Sequence, residues 1–445
     1  MVQRYKCTDW VPYATVTREH FENLPSREIP LSTYGGRADR QRDATGFFHA
    51  RQIDGVWSLV DPGGSPFLSM GVNAVNPEDD QPDSQYAFAA MFESTSAWAA
   101  WTHRLLKEEL GFNTLGCWSA ADEFQKIDAP MPYTPRLSVV RSFAKTRGME
   151  NGVLPVFHEA FPKHVDECFA TLAPRREDPW LLGVFSDNEI PLYERKILSR
   201  YLSTGGDDPA TLRARAWLKE RGLTQDEITP EHDRDFCRFV LSTYFSLVRE
   251  AMDKHLPNHM YLGTRFHLTV NSQLSAYEAL GRYADVISIN LYHRWTPDQQ
   301  ALSEWSTAAG KPLMITEWYA KGNDSGLRNA AGAGMTVETQ AERAKFYENF
   351  TLHILRSPNV VGWHWFRLMD EAPLRHGRDS TNKGLLNHHY TPYPELTESM
   401  RRINREAYSL RDELLSFTCP GLPDTARVIQ DPEFDEVRTE RTDAD

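Results

Sequence analysis

A rhythm of short apolar runs, each followed by a stretch of helix composition, constrains this chain more than any other feature. FLSMGVN (67–73) opens it and FNTLGCW (112–118) follows. VLPVFHEAF (153–161), LLGVFSDNEI (181–190), YLGTRFH (261–267), DVISINLY (285–292), LMITEWY (313–319) and NVVGWHWFRL (359–368) complete the series. Between them lie helical patterns near 90–109, 137–148, 165–173, 272–281, 298–309 and 340–356, and a longer charged helical region over 193–256. Strands alternating with helices predict a parallel sheet covered by helices. Eight such units in about 300 residues predict an α/β fold of the (β/α)8 TIM-barrel type. A doubly wound sheet is the alternative, but no GxGxxG turn follows the first strand.

Other signals divide the chain. Asp54-Gly55, between two half-alternating runs, predicts a hairpin inside Gly46–Val75. It reads as an N-terminal β-hairpin extension that closes one end of the barrel. Residues 1–45 are polar and broken by proline and glycine, and read as an N-terminal extension. Residues 46–414 hold the catalytic barrel with its hairpin, and 415–445 form an acidic tail expected to be flexible or laid on the surface. Thr339 and Glu342 predict a capping box for the helix over 340–356. The glycine-rich loop KGNDSGLRNAAGAGM (321–335) is expected to cover a substrate.

Charge and cysteine content exclude several function classes. The net charge is −13 and no long Lys/Arg run exists, so no nucleic-acid partner is expected. No run approaches 18 apolar residues, so no membrane span is expected. Cys7, Cys117, Cys168, Cys237 and Cys419 are scattered, with no CxxC pair and no metal-ligand spacing. Free thiols suit a reducing compartment, and the N-terminus MVQRYKCTDWVPYATV has no apolar leader core. The expectation is a cytoplasmic protein, with a homo-oligomer left open. Neither a cofactor nor a metal is expected: His158 stands beside Glu159, but no HExxH or close histidine pair accompanies them at the strand ends.

In a barrel of this kind function sits at the C-terminal ends of the strands. Those ends carry Asn73, Trp118, His158, Asp187, Asn188, Glu189, Arg265, His267, Asn290, Tyr292, His293, Glu317, Trp318, Tyr319, Trp363, Trp365 and Arg367. Carboxylates, amides and aromatics in one pocket are the kit for cleaving a glycosidic bond. Glu189 is expected to act as acid/base and Glu317 as nucleophile. A separation of about 5–5.5 Å between them implies retention of anomeric configuration, and one of about 6.5–9.5 Å implies inversion. Asn188 suits the sugar 2-hydroxyl. Tyr292 suits a hydrogen bond to Glu317. His158, His293 and His364 suit hydroxyls, and His267, Asn73 and Arg265 are expected to bind substrate beside them. Trp118, Trp318, Trp363 and Trp365 suit stacking on sugar faces, although at least one of Trp363 and Trp365 is expected in the core. An oligosaccharide is the expected partner.

Whole segments also resemble a known family. Asn-Glu ending strand four and Glu ending strand seven resemble clan A, the retaining β-glycosidases. GFNTLGCWS (111–119), VFHEAF (156–161), GVFSDNEIP (183–191), YLGTRFH (261–267), VISINLY (286–292), ITEWYAKGNDSGL (315–327), TQAERAKFYENF (339–350) and VVGWHWFRLMD (360–370) resemble glycoside hydrolase family 50, the β-agarases. The resemblance covers roughly residues 46–410. It implies Glu189 as acid/base, Glu317 as nucleophile and Asn188 as sugar-binding. It implies a retaining hydrolase, exo- or endo-acting, of β-galactosidic bonds in agar-derived or related oligosaccharides, and exo action is expected for this chain. Two other expectations stand beside it: a retaining enzyme for a non-agar β-galactoside, β-glucoside or β-uronide, with Arg265 or Arg367 on a uronide carboxylate, and a non-catalytic sugar-binding barrel.

Overall fold

The hairpin forms where Asp54-Gly55 predicts it. His49–Ile53 and Val56–Val60 pair antiparallel, with Ile53 opposite Val56. Asp54 and Gly55 adopt φ of 52° and 80°, the left-handed pair that a two-residue turn between twisted strands needs. The computed structural model describes residues 10–24, 27–77, 82–147, 152–192, 194–267, 273–371, 380–415 and 424–429. Cys7 and Cys419 lie outside the described residues.

The core is a parallel sheet. Thr114–Leu115, Ser69–Val72, Val360–Trp365, Leu313–Glu317 and Ile287–Asn290 lie side by side in that order, every pair parallel. Gly183–Val184 pairs parallel with Met260–Tyr261. Single parallel bridges continue the pattern: Phe266 with Ile289, Tyr133 with both Leu115 and Leu181, and Arg136 with Phe185. Apolar side chains collect on both faces. On one face Leu182, Phe185, Met260, Leu262, Val286, Met314 and Val361 meet Phe48, Leu59 and Phe67 from the hairpin region. The larger core lies on the other face, under helices that include Pro230–His255, Gln340–Arg356 and Pro394–Leu414. In the first of these Phe236, Val240, Tyr244 and Val248 are buried, one stripe at helical spacing.

One predicted strand is absent. Residues 153–160 form bends and turns rather than a strand, Phe161 opens the helix Phe161–Ala170, and His158 N–H bonds back to Pro155. The apolar run is real, but Val153, Leu154 and Val156 are buried without a ladder. Its place between Leu115 and Leu181 is taken by the MPYTPR segment (131–136). Here Pro135 supplies only its carbonyl, to the Phe185 N–H, so the missing N–H costs no ladder bond.

At the chain's edge Val11–Thr15 pairs antiparallel with Asp424–Ile429, which pairs with Met335–Val337, which pairs with Ala320–Gly322. Six residues of the acidic tail are therefore a strand between two others. The helix over 340–356 starts as predicted, with Thr339 Oγ1 accepting from the Glu342 N–H at 3.3 Å. Glu342 reaches back one residue further than a capping box requires, to the Glu338 N–H at 2.9 Å. Among the described residues no helix is long and apolar enough to cross a membrane.

Candidate active site

The segment ending in Asp187, Asn188 and Glu189 sends three polar side chains in two directions. Asp187 faces the helices. Its Oδ1 accepts from the Val140 N–H at 2.9 Å and its Oδ2 from the Tyr244 hydroxyl. Burial pushes its carboxyl up to about 7, against the lowering effect of those two donors. Asn188 and Glu189 turn the other way. Glu189 takes φ 52°, and its N–H bonds the carbonyls of Thr264 at 3.2 Å and Arg265 at 3.3 Å. Ala74, Trp118, Arg265 and His293 share that left-handed conformation, at φ 50°, 63°, 53° and 55°. Five non-glycine residues in a sparsely populated conformation, all where predicted strands end, mark a site held against local preference.

The two glutamates are joined by side chains. The Arg265 guanidinium donates through Nη2 to Glu317 Oε1 and through Nε to Asn188 Oδ1 at 2.7 Å. Asn290 Nδ2 donates to Asn188 Oδ1 at 3.2 Å and to Glu189 Oε1 at 2.8 Å. A continuous path therefore runs Glu189–Asn290–Asn188–Arg265–Glu317. The Tyr292 hydroxyl donates to Glu317 Oε2, so both carboxylate oxygens of Glu317 have a donor. Glu317 is 5% exposed. Burial pushes its carboxyl above the ordinary glutamate value; Arg265 pulls it down, Glu189 pushes it up, and Tyr292 lowers it again.

Asn73 is fully buried and spans the strands, donating through Nδ2 to the carbonyls of Thr316 at 2.9 Å and Trp365 at 3.2 Å. It is part of the wall. Trp118 is half-buried, with the Arg265 guanidinium 4.7 Å and that of Arg136 5.3 Å from its ring centre. Phe366 meets it edge to face at 5.9 Å. His267 and His293 are half-buried at the ends of their segments.

Several expected sugar contacts lie elsewhere. Trp318, Trp363 and Trp365 are 1%, 0% and 0% exposed. Trp318 stacks on Phe350 at 4.2 Å, Trp363 donates to the Tyr347 hydroxyl at 3.2 Å, and Trp365 donates to the Lys383 carbonyl at 2.9 Å. Their faces are occupied by protein, and all three are core. His158 follows the absent strand: its Nδ1 accepts from the Ala160 N–H at 3.1 Å and its ring packs on Phe143 at 5.2 Å. Those contacts reach neither glutamate. Asn290 is the converse case, a residue noted at a strand end whose bridging role only the fold makes visible.

The loop over 321–335 is tied by side-chain hydrogen bonds. Asn329 Nδ2 donates to the Gly322 carbonyl at 2.9 Å, and Asn329 Oδ1 accepts from the Asn382 N–H at 2.8 Å. Among the described residues no group of three His, Cys, Asp or Glu could hold a metal ion.

No family model matches the chain. It is similar to beta-agarase B of Vibrio sp. (strain JT0107), 25% identical over 506 residues that cover 89% of this chain and 52% of that protein. It is also similar to beta-agarase A of the same organism, 26% identical over 498 residues that cover 84% and 48%. The chain thus spans about half the length of the curated relatives it matches. Among solved structures it is similar to BpGH50, with a TM-score of 0.78, 28% identity and 90% of each chain covered.

Proposed function

We propose that this chain, which belongs to a GH50-like β-agarase family, cleaves β-galactosidic bonds of agar-derived or related oligosaccharides by double displacement, working from a chain end. The family supports a glycoside hydrolase acting on a carbohydrate. The hydrogen-bonded path from Glu189 through Asn290, Asn188 and Arg265 to Glu317 carries the rest of the reading. On this reading the parallel pairings and bridges run in circuit as a closed (β/α)8 barrel over residues 46–414, with the segment 131–136 as its third strand. Residues 1–45 are an extension and 415–445 a tail. The free thiols of Cys117, Cys168 and Cys237 favour a reducing, cytoplasmic setting.

In the first step the Glu317 carboxylate attacks the anomeric carbon. The bond to the leaving oxygen breaks as the Glu189 carboxyl gives that oxygen its proton. In the second step water attacks the same carbon, Glu189 takes its proton, and Glu317 leaves as a carboxylate. Arg265 and Tyr292 favour the charged Glu317 and hold its direction. Asn188 already accepts two hydrogen bonds on Oδ1, which leaves its amide N–H groups for the sugar 2-hydroxyl. Trp118, His267 and His293 supply the rim. A neutral sugar is favoured over a uronide, because Arg265 already faces Glu317 and Arg367 lies 3.8 Å from Glu371.

Proton NMR of the first product released from an agarose-derived oligosaccharide tests this. The β-anomer is expected before mutarotation. An α-anomer appearing first would overturn double displacement, and inertness towards every β-galactosidic oligosaccharide would overturn the substrate.

A further inference from the structure

Lys321 is a buried lysine that no described carboxylate pairs with. It is 6% exposed. Its Nζ donates to the backbone carbonyls of Asn329 at 3.3 Å, Ala331 at 3.2 Å and Gly332 at 3.2 Å. A buried ammonium without a counter-charge is costly. Burial, with the charge of Lys383 adding to it, lowers this one to about 8. An apolar side chain would fill the space at less cost, so the amine answers to the three carbonyls.

Those carbonyls belong to a segment seated on Tyr319. A Cβ on Gly334 would come within 2.4 Å of the Tyr319 ring, and one on Gly332 within 2.4 Å of its hydroxyl. Backbone and ring are in direct contact there, with no room for a side chain. Tyr319 meets Tyr292 edge to face at 5.5 Å, and Tyr292 donates to Glu317. Four contacts lead from the lysine to the carboxylate: lysine to loop carbonyls, loop to Tyr319, Tyr319 to Tyr292, and Tyr292 to Glu317.

We propose that Lys321 is a positioning residue: its ammonium gathers the Asn329–Gly332 carbonyls, seats that segment on Tyr319, and so fixes Tyr292 against Glu317. This role rests on Glu317 being the nucleophile. It gives the glycine-rich loop a purpose other than covering substrate. Its glycines allow backbone to lie flat on an aromatic ring, and its one lysine holds it there.

Lys321→Met removes the ammonium and keeps the stem. The expected result is a kcat about ten-fold or more lower at nearly unchanged KM, with the acid limb of kcat moved to higher pH. The sign follows from Tyr292. Its hydrogen bond favours the charged carboxylate, so loosening it raises the pKa of Glu317 and delays ionisation. The other groups that face Glu317 are Arg265 and Glu189, with Lys383, Cys117 and Tyr319 also feeling its charge, and none is substituted. Tyr292→Phe moves the limb the same way, and Lys321→Met adds nothing on that background. A Lys321→Met protein with unmoved kcat and acid limb overturns the proposal, as does an effect fully additive with Tyr292→Phe. If Lys321→Met does not fold, Gly334→Ala reaches the same contact from the loop side, and an unmoved limb there overturns it equally. Glu317→Ala is measured alongside. Turnover retained in that variant overturns the nucleophile assignment itself. An inert Glu317→Ala beside an unmoved Lys321→Met overturns the role of Lys321 alone.

Discussion

Glu317 and Glu189 sit at the two ends of one hydrogen-bonded path, yet their surroundings differ. Glu317 is buried, has a donor on each oxygen, and one of those donors is a fully buried guanidinium. Glu189 is half-buried and leans on the Asn290 amide alone among the described residues. A nucleophile needs a charge that is held and aimed. An acid/base needs to exchange a proton with a leaving oxygen and then with water, so one side must stay open. The contrast between the two environments supports the proposed roles, Glu317 as nucleophile and Glu189 as acid/base.

Exchanging each carboxylate for a methyl group breaks that contrast most severely. Glu317→Ala is expected to lose about 10⁴-fold or more in kcat, since no covalent intermediate can form. Glu189→Ala is expected to lose about 10²–10⁴-fold, and least on substrates with good leaving groups. Azide distinguishes the two. It should rescue Glu189→Ala to a β-glycosyl azide and Glu317→Ala to an α-glycosyl azide. The opposite anomers, read by NMR, would reverse the roles.

Much of this site is legible in the chain because polar residues close apolar runs. LLGVFSDNEI and LMITEWY deliver Glu189 and Glu317 to the same end of a parallel sheet, and period-two logic needs no more than that. The third sheet position is illegible for the converse reason. Proline cannot donate to a ladder, and only the neighbouring segment shows that the Pro135 carbonyl is the atom the ladder uses. Trp363 and Trp365 share a face of their strand, as alternation requires. That this face is closed depends on Tyr347 arriving from the helix over 340–356, where its ring meets Trp365 and its hydroxyl accepts from Trp363, which no local pattern encodes. Arg265 carries the same lesson. A lone arginine after a strand suits a substrate carboxylate as well as a protein one, and its partner is 52 residues away in sequence.

Arg265→Met sharpens the comparison by removing the feature Glu189 lacks. The carboxylate of Glu317 is left buried without its cation, a change of the kind that costs about 3–5 kcal/mol of stability. Removing a positive neighbour raises the pKa of Glu317 further, so the acid limb of kcat is expected to move up, as with Tyr292→Phe but by more. Arg265→Lys should recover little of the loss, because one ammonium cannot reach both Glu317 and Asn188 as the fork does. Thermal unfolding and pH–rate profiles measure the two effects separately. An unmoved acid limb in Arg265→Met would mean that the guanidinium does not tune Glu317.

Asp187 supplies the smallest and most discriminating test, because it is a buried carboxyl with a raised pKa whose hydrogen bonds come from neutral donors, with Arg136 acting only through its charge. Burial lifts Glu317 and Asp187 alike, but Asp187 is met by a hydroxyl and a backbone N–H at the start of the helix over 139–147. Its ordinary value is 3.8 and its folded value about 7, so between those limits the folded state binds more protons than the unfolded one. Its contribution to stability is therefore complete at low pH and is lost as pH rises through about 7. Asp187→Asn keeps an acceptor for Val140 and gives Tyr244 an amide in place of the carboxyl. The fall in unfolding free energy from about pH 4 to 7 should then be shallower than in the unaltered protein, while the acid limb of kcat stays where it is. An acid limb that moves with Asp187→Asn would place this carboxyl in the circuit of Glu317, and the division of the Asp187–Glu189 segment between helix layer and pocket would fail.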